Sequence, residues 1–272
     1  ELSKRVESDW EGVVADMEAI RLAVVARARS VTNLTADAKT LETTAGAVEG
    51  FLKSLPATGT GAATAPWSPK LVLPAENELI TVPTQVNYVG KGANLYKAGY
   101  DLHGSAYVIN KLLGTTWLWD RVRVSGGAYG GFSDFDSHSG MFSYLSYRDP
   151  NLMKTVSNYD GTVDFLKELK IDGEELTKSI IGTMGDLDSY QLPDAKGYTA
   201  LMRHLLKVED AERQQRREEV LGTTQSDFNK FGETLEATTA PDAKVVAVCS
   251  PEAAAAAQKE RPDLDFKITT VM

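Results

Sequence analysis

The chain has 272 residues and a formal net charge of −9, from 29 Lys and Arg against 38 Asp and Glu. Its 42% apolar and 25% charged residues give enough apolar material for a globular core, and its length allows one large domain or one domain plus part of another. The acidic balance argues against general nucleic-acid binding, which needs Lys and Arg to neutralise phosphates. No run approaches the roughly 18 apolar residues of a membrane span, and no apolar segment of signal-peptide type follows the N-terminus. The chain opens on Glu1 rather than Met, inside a helical pattern, and so reads as a fragment.

In chain order, residues 3–28 are predicted helical, because Trp10, Val13, Val14, Met17, Ile20 and Val24 recur at helical spacing. Val31 to Leu34 reads as a short strand. A second helix starts at Thr35 to Asp37, carries Leu41, Val48, Phe51 and Leu52 on its apolar face, and ends before Pro56. From residue 56 Pro, Gly, Thr and Ala dominate with almost no apolar periodicity, the composition of a linker, here taken as 56–75. An alternating strand is predicted over 78–89, with Pro83 marking an edge or a bulge, then a helix over 103–120.

Two strands, 124–135 and 140–148, are predicted on either side of a turn at Asp136 to Ser139. The second has Phe142 and Tyr144 on one face and Met141 and Leu145 on the other, which predicts burial on both faces. Asp149 and Pro150 have the form of a helix entry, N-cap then first helical position, for a helix running to Leu169. Asp172 to Glu175 reads as a capping box. A break over 188–194 precedes a long helix, 195–221, whose charged second half reads as a solvated face. A helix over 224–236, a buried strand over 244–249, an Ala-rich helix from Ser250 and a final strand over 266–271 complete the chain. The order is not a regular βαβ alternation, so the predicted class is α+β, a mainly antiparallel sheet with helices packed on it.

The richest segment is 117–151, WLWDRVRVSGGAYGGFSDFDSHSGMFSYLSYRDPN. Gly126, Gly127, Gly130 and Gly131 bare the backbone around Tyr129, behind the basic pair Arg121 and Arg123. Glycine in a strand marks a place where another backbone or a ligand comes close, and a bare edge beside Arg and Tyr suits an extended peptide. The same pattern also fits a glycine-softened hairpin in a curved sheet. Strand alternation would put Arg121 and Arg123 on one face, so spacing does not choose between them. Trp117 and Trp119 are expected to pack in the core and at a helix end.

Other chemistries fit less well. The glycine cluster is not G-x-G-x-x-G, since Ala128 stands where the second Gly belongs, and no P-loop Lys follows. Ser125, Ser133, Asp136 and His138 hold the ingredients of a triad, as any hairpin of this composition would. His103, His138 and His204 lie far apart, none with a His partner at ligand spacing, so no metal site is expected in this chain. The one cysteine, Cys249, lies in the apolar run after Lys244 and reads as a small buried hydrophobe, not as an activated thiol, which wants a cationic setting and a base.

The segments Arg123 to Gly131 (RVSGGAYGG), Ser146 to Asn151 (SYRDPN), Val31 to Asp37 (VTNLTAD) and Val82 to Gly90 (VPTQVNYVG) resemble the C-terminal part of the organellar presequence proteases, zinc metallopeptidases of the pitrilysin and insulysin type. The resemblance runs, with gaps, through nearly the whole chain. It implies that residues 1–55 end a third metallopeptidase-like domain and that 76–272 form the fourth, in an enzyme whose two halves enclose a chamber. Zinc would be held by the N-terminal half, on an inverted His-x-x-Glu-His motif that this sequence lacks, so this chain alone is expected to be inactive.

The Arg and Tyr that the family's C-terminal half lends to the site, six positions apart, fall on Arg123 and Tyr129, with the backbone of Gly126 and Gly127 beside the substrate. The implied substrates are short unstructured peptides, above all cleaved organellar targeting peptides, which are Arg-rich and which an acidic chamber would attract. The implied partner is the N-terminal half of the same enzyme, with no nucleic acid and no membrane, in the mitochondrial matrix, the chloroplast stroma or both. The alternative is a non-catalytic structural or peptide-binding module of the same fold.

Overall fold

A computed structural model describes residues 2–57 and 76–271, so the expected linker lies outside the described residues except for Pro56 and Ala57. Contacts divide the chain into two units, residues 1–72 with 190–208 and residues 73–189 with 209–272.

In the first unit, α1 (Leu2–Ser8) and α2 (Trp10–Val24) replace the single helix expected over 3–28. Asp9 interrupts it: its backbone leaves the helical region and its carboxylate accepts the Gly12 amide at 3.1 Å. Short acidic side chains compete with the helix ladder in this way. Val31 to Leu34, expected as a strand, pairs with no strand among the described residues; Asn33 instead donates its side-chain amide to the Gly197 carbonyl at 2.7 Å. α3 (Ala38–Ser54) begins where the sequence places it, with the Asp37 carboxylate accepting from the Thr40 amide. Trp10, Met17, Ile20 and Phe51 stay exposed, and Val13 is the buried residue of α2.

The second unit holds the sheet. The strand expected over 78–89 is two strands, β1 (Glu78–Thr81) and β2 (Asn87–Asn94). Pro83 has no amide for a ladder and a fixed φ, so the chain leaves the sheet there and returns two positions along. α4 (Ser105–Thr115) follows, then a π-helical turn over Trp119–Val124 where strand was expected from 124. β3 (Gly130–Asp136) and β4 (Met141–Asp149) form the hairpin.

The helices after it are α5 (Met153–Asp160), α6 (Thr162–Glu168) and α7 (Gly173–Leu187). The long helix expected over 195–221 is α8 (Pro193–Leu206), in the first unit, and α9 (Asp210–Leu221), broken at Lys207 with φ +58°. The charged half, α9, presents most of its residues to solvent. α10 (Gln225–Thr234), β5 (Lys244–Cys249), α11 (Pro251–Glu260) and β6 (Lys267–Thr270) complete the unit. Asp172 caps α7 by accepting the Glu175 amide at 2.8 Å, while a reciprocal capping box forms at Thr224 and Asp227.

The six strands run in the order β3-β4-β2-β5-β1-β6. The pairs β3 with β4, β4 with β2 and β2 with β5 are antiparallel, and β1 is parallel to both β5 and β6. The fold is therefore α+β with a mainly antiparallel sheet. Leu79, Val89, Phe142, Tyr144, Val245 and Ala247 of the sheet join Ile109, Leu112, Leu166, Phe228 and Phe231 of the helices in one core. Phe142 touches the rings of Phe135, Tyr144 and Phe231, and Tyr144 stacks on Tyr159 at 5.0 Å. Burial in this core pushes the Tyr144 and Tyr159 phenols well above their ordinary range. Beside them Lys91, nearly buried, forms an ion pair with Asp160.

β4 lies inside the sheet, yet only one of its faces is buried. Phe142 and Tyr144 are fully covered, whereas Met141 and Leu145 are 39% and 46% exposed, because the helices pack on one side alone. Among the described residues no helix is long and apolar enough to cross a membrane. This one-sided burial predicts that Phe142→Ala costs about 3–5 kcal/mol, while Leu145→Ala stays within about 0.5 kcal/mol. Urea unfolding midpoints of the two variants check the contrast.

Candidate functional site

The site begins where α4 stops. Thr116 leaves the helical region, and the wider turn that follows is closed by the Ser125 amide on the Asp120 carbonyl at 2.9 Å, the i→i+5 spacing of a π turn, which is rare and recurs at functional sites. The chain then folds back on that turn: the Gly127 amide bonds the Arg123 carbonyl at 2.9 Å, and the Ala128 amide bonds the Val122 carbonyl at 3.1 Å. A Cβ on Gly126 would run into the Val122 carbonyl, and Gly127 has φ +81°. These two glycines therefore make a tight reversal, not the strand the sequence suggested. Gly127 is exposed; Gly126 is partly buried and its carbonyl accepts the Asn151 side-chain amide at 2.6 Å.

The helical turn also separates the two arginines that a strand would have aligned. Arg121 lies with Cζ 5.0 Å from the centroid of the Trp117 ring. Arg123 lies 4.6 Å from that of Trp119 and 5.5 Å from that of Tyr129, and its Nη1 donates to the Tyr129 carbonyl. Trp117 packs on Phe165 and donates to the Asn158 carbonyl at 2.7 Å, as expected. Trp119 does not join the core; it is 47% exposed and forms the surface on which Arg123 rests, since its strand-less turn points it outward.

Tyr129 is 65% exposed, and its hydroxyl has no hydrogen-bond partner among the described residues. Its ring meets the edge of Tyr147 at 5.8 Å, and Tyr147 meets Tyr88 at 5.4 Å. Arg148 lies over Tyr147, 5.6 Å from its ring centroid. Sequence reasoning missed Tyr88, Tyr147 and Arg148; their signal was alternation, which places both tyrosines on the outward face of β2 and β4. None of Arg121, Arg123 and Arg148 is in a salt bridge among the described residues. In a chain of net charge −9, this corner keeps three cations balanced only by aromatic faces, an attraction of about 0.5–1 kcal/mol each at exposed sites.

The row of rings leads onto the uncovered face of the sheet. There Phe132, Leu145, Gly90 and Val246 lie in one transverse register, with Tyr147, Tyr88 and Val248 alongside. Gly90 leaves the centre of that face without a side chain.

The other candidates disperse. Asp136 accepts from the His138 and Ser139 amides and from the Ser139 hydroxyl, which together hold its carboxyl below the ordinary range. Neither Ser125 nor Ser133 bonds to His138, so the triad ingredients do not assemble. His103 bonds Ser105 at 2.8 Å. Among the described residues no group of three or more His, Cys, Asp or Glu is placed to hold a metal ion, so they do not fit a zinc centre.

The fold is that of a pitrilysin-type metallopeptidase domain. A protease from Helicobacter pylori superposes with a TM-score of 0.53 over 77% of this chain and 52% of its own, at 16% identity. Pitrilysin does so with a TM-score of 0.50 over 78% of this chain and 23% of its own, at 14% identity. Within that class the family is specific. Residues 77–252 match the PreP C-terminal domain. The chain is 56% identical over 260 residues to presequence protease 1, chloroplastic/mitochondrial, of Arabidopsis thaliana, and 31% identical over 116 residues to the mitochondrial presequence protease of Mus musculus. It belongs to the presequence protease family. It spans 96% of its own length but 24% of the Arabidopsis protein's in that match, and 43% against 11% for the mouse protein.

Cys249 is fully buried and its thiol is pushed up by that burial, which removes the thiolate that reacts. A thiol reagent at pH 8 is expected to modify the folded chain only as fast as it unfolds, and at once in denaturant; stopped-flow absorbance against the unfolding rate checks this.

Proposed function

We propose that this chain is the C-terminal part of a zinc metalloendopeptidase that degrades short unstructured peptides, in particular cleaved targeting peptides, in the mitochondrial matrix, the chloroplast stroma or both. In this reading residues 1–55 end a third domain, 56–75 link it to the fourth, and 76–272 form the fourth. Zinc is held by the N-terminal half, and this chain alone is inactive. The observation that carries the reading is the pairing of Arg123 with Tyr129, whose hydroxyl is exposed and unbonded at the rim of an open sheet face.

The chemistry follows from that pairing. The Tyr129 phenol donates a hydrogen bond to the scissile carbonyl oxygen as negative charge develops on it. Arg123, already fixed by Trp119 and by the Tyr129 carbonyl, adds a guanidinium that favours the same charge. The backbone around Gly126 and Gly127 and the aromatic row beyond it give an extended peptide a surface to lie on. Folded proteins are excluded because a strand-like segment must reach the wall of a closed chamber.

The test uses an Arg-rich, quenched targeting peptide, zinc, this chain and a separately made N-terminal half. Activity is expected in the mixture and not with this chain alone. Tyr129→Phe, which removes a donor worth on the order of 3 kcal/mol, should lower turnover about tenfold or more with the fold intact. Arg123→Lys should also lower it, since an ammonium replaces neither the ring stacking nor the planar fork. An inactive mixture of folded, associated halves would return the chain to the alternative, a non-catalytic peptide-binding module.

A further inference from the structure

Tyr129 sits on a short reversal, residues 125–129, that belongs to no helix or strand. Packing holds it only at Ala128, which is buried in the core, while Ser125, Gly127 and Tyr129 are exposed. What fixes it on one side is the π turn. What fixes it on the other is the segment Ser146 to Asn151, beyond the Tyr147 and Arg148 side chains that belong to the site.

That segment has an unusual backbone. Arg148 has φ +50°, the left-handed region that non-glycine residues seldom occupy. The kink turns two successive carbonyls, of Tyr147 and Arg148, toward the Tyr129 amide, at 3.1 and 3.4 Å. It also carries Asp149 inward to full burial. Asp149 was expected to cap a helix with Pro150 at its first position, yet α5 starts at Met153. Its carboxylate instead accepts the Asn151 amide at 2.8 Å and the Thr155 hydroxyl at 2.7 Å, and its carbonyl accepts the Asn87 side chain at 3.0 Å. Thus oriented, Asn151 sends its own side-chain amide back to the Gly126 carbonyl at 2.6 Å, and Pro150 lies against Gly127.

We propose that Asn151, aimed by the buried Asp149 and by Thr155, is a positioning residue that sets the direction of the Tyr129 phenol. The inference rests on the reading of Tyr129 as the donor to the scissile carbonyl. A donor is required at this position: a carboxylate of the same shape would set oxygen against the Gly126 oxygen. Gly126 has no space to move aside, since even a Cβ there meets the Val122 carbonyl. The bond therefore passes its geometry directly to the residues leading into Tyr129. A shift of about 1 Å in such a group lowers rate by about 100-fold.

Alongside a charge-free Asn151→Leu control, Asn151→Asp keeps the backbone bond to Asp149 and the side-chain volume, removes the donor and adds a carboxylate beside Asp149 Oδ1, which the Asn151 Nδ2 approaches to 3.5 Å. In the zinc-loaded full-length enzyme it is expected to lower kcat about tenfold or more while KM changes less than about threefold, the split of a group acting in the transition state. In a Tyr129→Phe background the same change should lower kcat no further, because its effect passes through the phenol. Amide exchange of the 124–131 peptide, followed by mass spectrometry, should speed up about tenfold in Asn151→Asp with the peptide around Phe142 unchanged. Wild-type kcat and exchange in Asn151→Asp, or losses that add fully in the double variant, overturn the proposal. If Tyr129→Phe itself leaves kcat unchanged, the catalytic reading falls, and the exchange rates alone then decide whether Asn151 holds the loop.

Discussion

A sheet with apolar residues on both faces, covered by helices on only one, is the constraint from which the rest of this chain follows. Phe142, Tyr144 and Tyr159 close the covered side, and the Lys91–Asp160 pair is seated among them at the sheet's edge of the core. Removing Asp160 leaves the nearly buried Lys91 ammonium without its partner, so the pair ties β2 to the end of α5. With that face complete, Tyr88, Tyr147, Leu145 and Val246 have nowhere to go but outward. An exposed apolar surface of this kind is the usual mark of an interaction site, and here it adjoins a corner where Arg121, Arg123 and Arg148 lack carboxylate partners among the described residues.

That corner shows how an acidic protein builds a local positive field. Arg121, Arg123 and Arg148 are each laid over an aromatic ring, which holds a guanidinium without quenching its charge as a carboxylate would. The arrangement leaves the cations able to act on an oxygen that becomes negative. The glycines serve the same end by geometry: the reversal at Gly126 and Gly127 packs the backbone tightly enough to bring Arg123 and Tyr129 together.

Much of this could be read from the sequence, and the reasons are local. Asp37 and Asp172 cap the helices they precede because a cap needs only residues three positions apart. Cys249 is buried because it shares the covered face of its apolar strand with Val245 and Ala247. Arg123 and Tyr129 were singled out by the spacing of a family motif. The misreadings share a different cause. Asp9, Pro83 and Lys207 break elements that periodicity alone carried through, since a competing side chain, a missing amide or a left-handed residue outweighs weak propensity. Trp119 to Val124, where the expected helix ends and the expected strand begins, winds instead as a π turn that neither pattern specifies.

The sequence by itself determined the class, the family resemblance, the helix caps and the identity of the chemical groups, because each depends on residue types within a few positions. Only the tertiary structure decided that Arg123 and not Arg121 faces Tyr129, that β5 lies between β1 and β2, and that one face of the sheet is open. It also decided that Asp149 turns inward and that Asn151 reaches Gly126, 25 positions away. Those outcomes depend on which distant segments meet: a backbone reversal or a buried carboxylate takes its geometry from partners that local pattern does not specify.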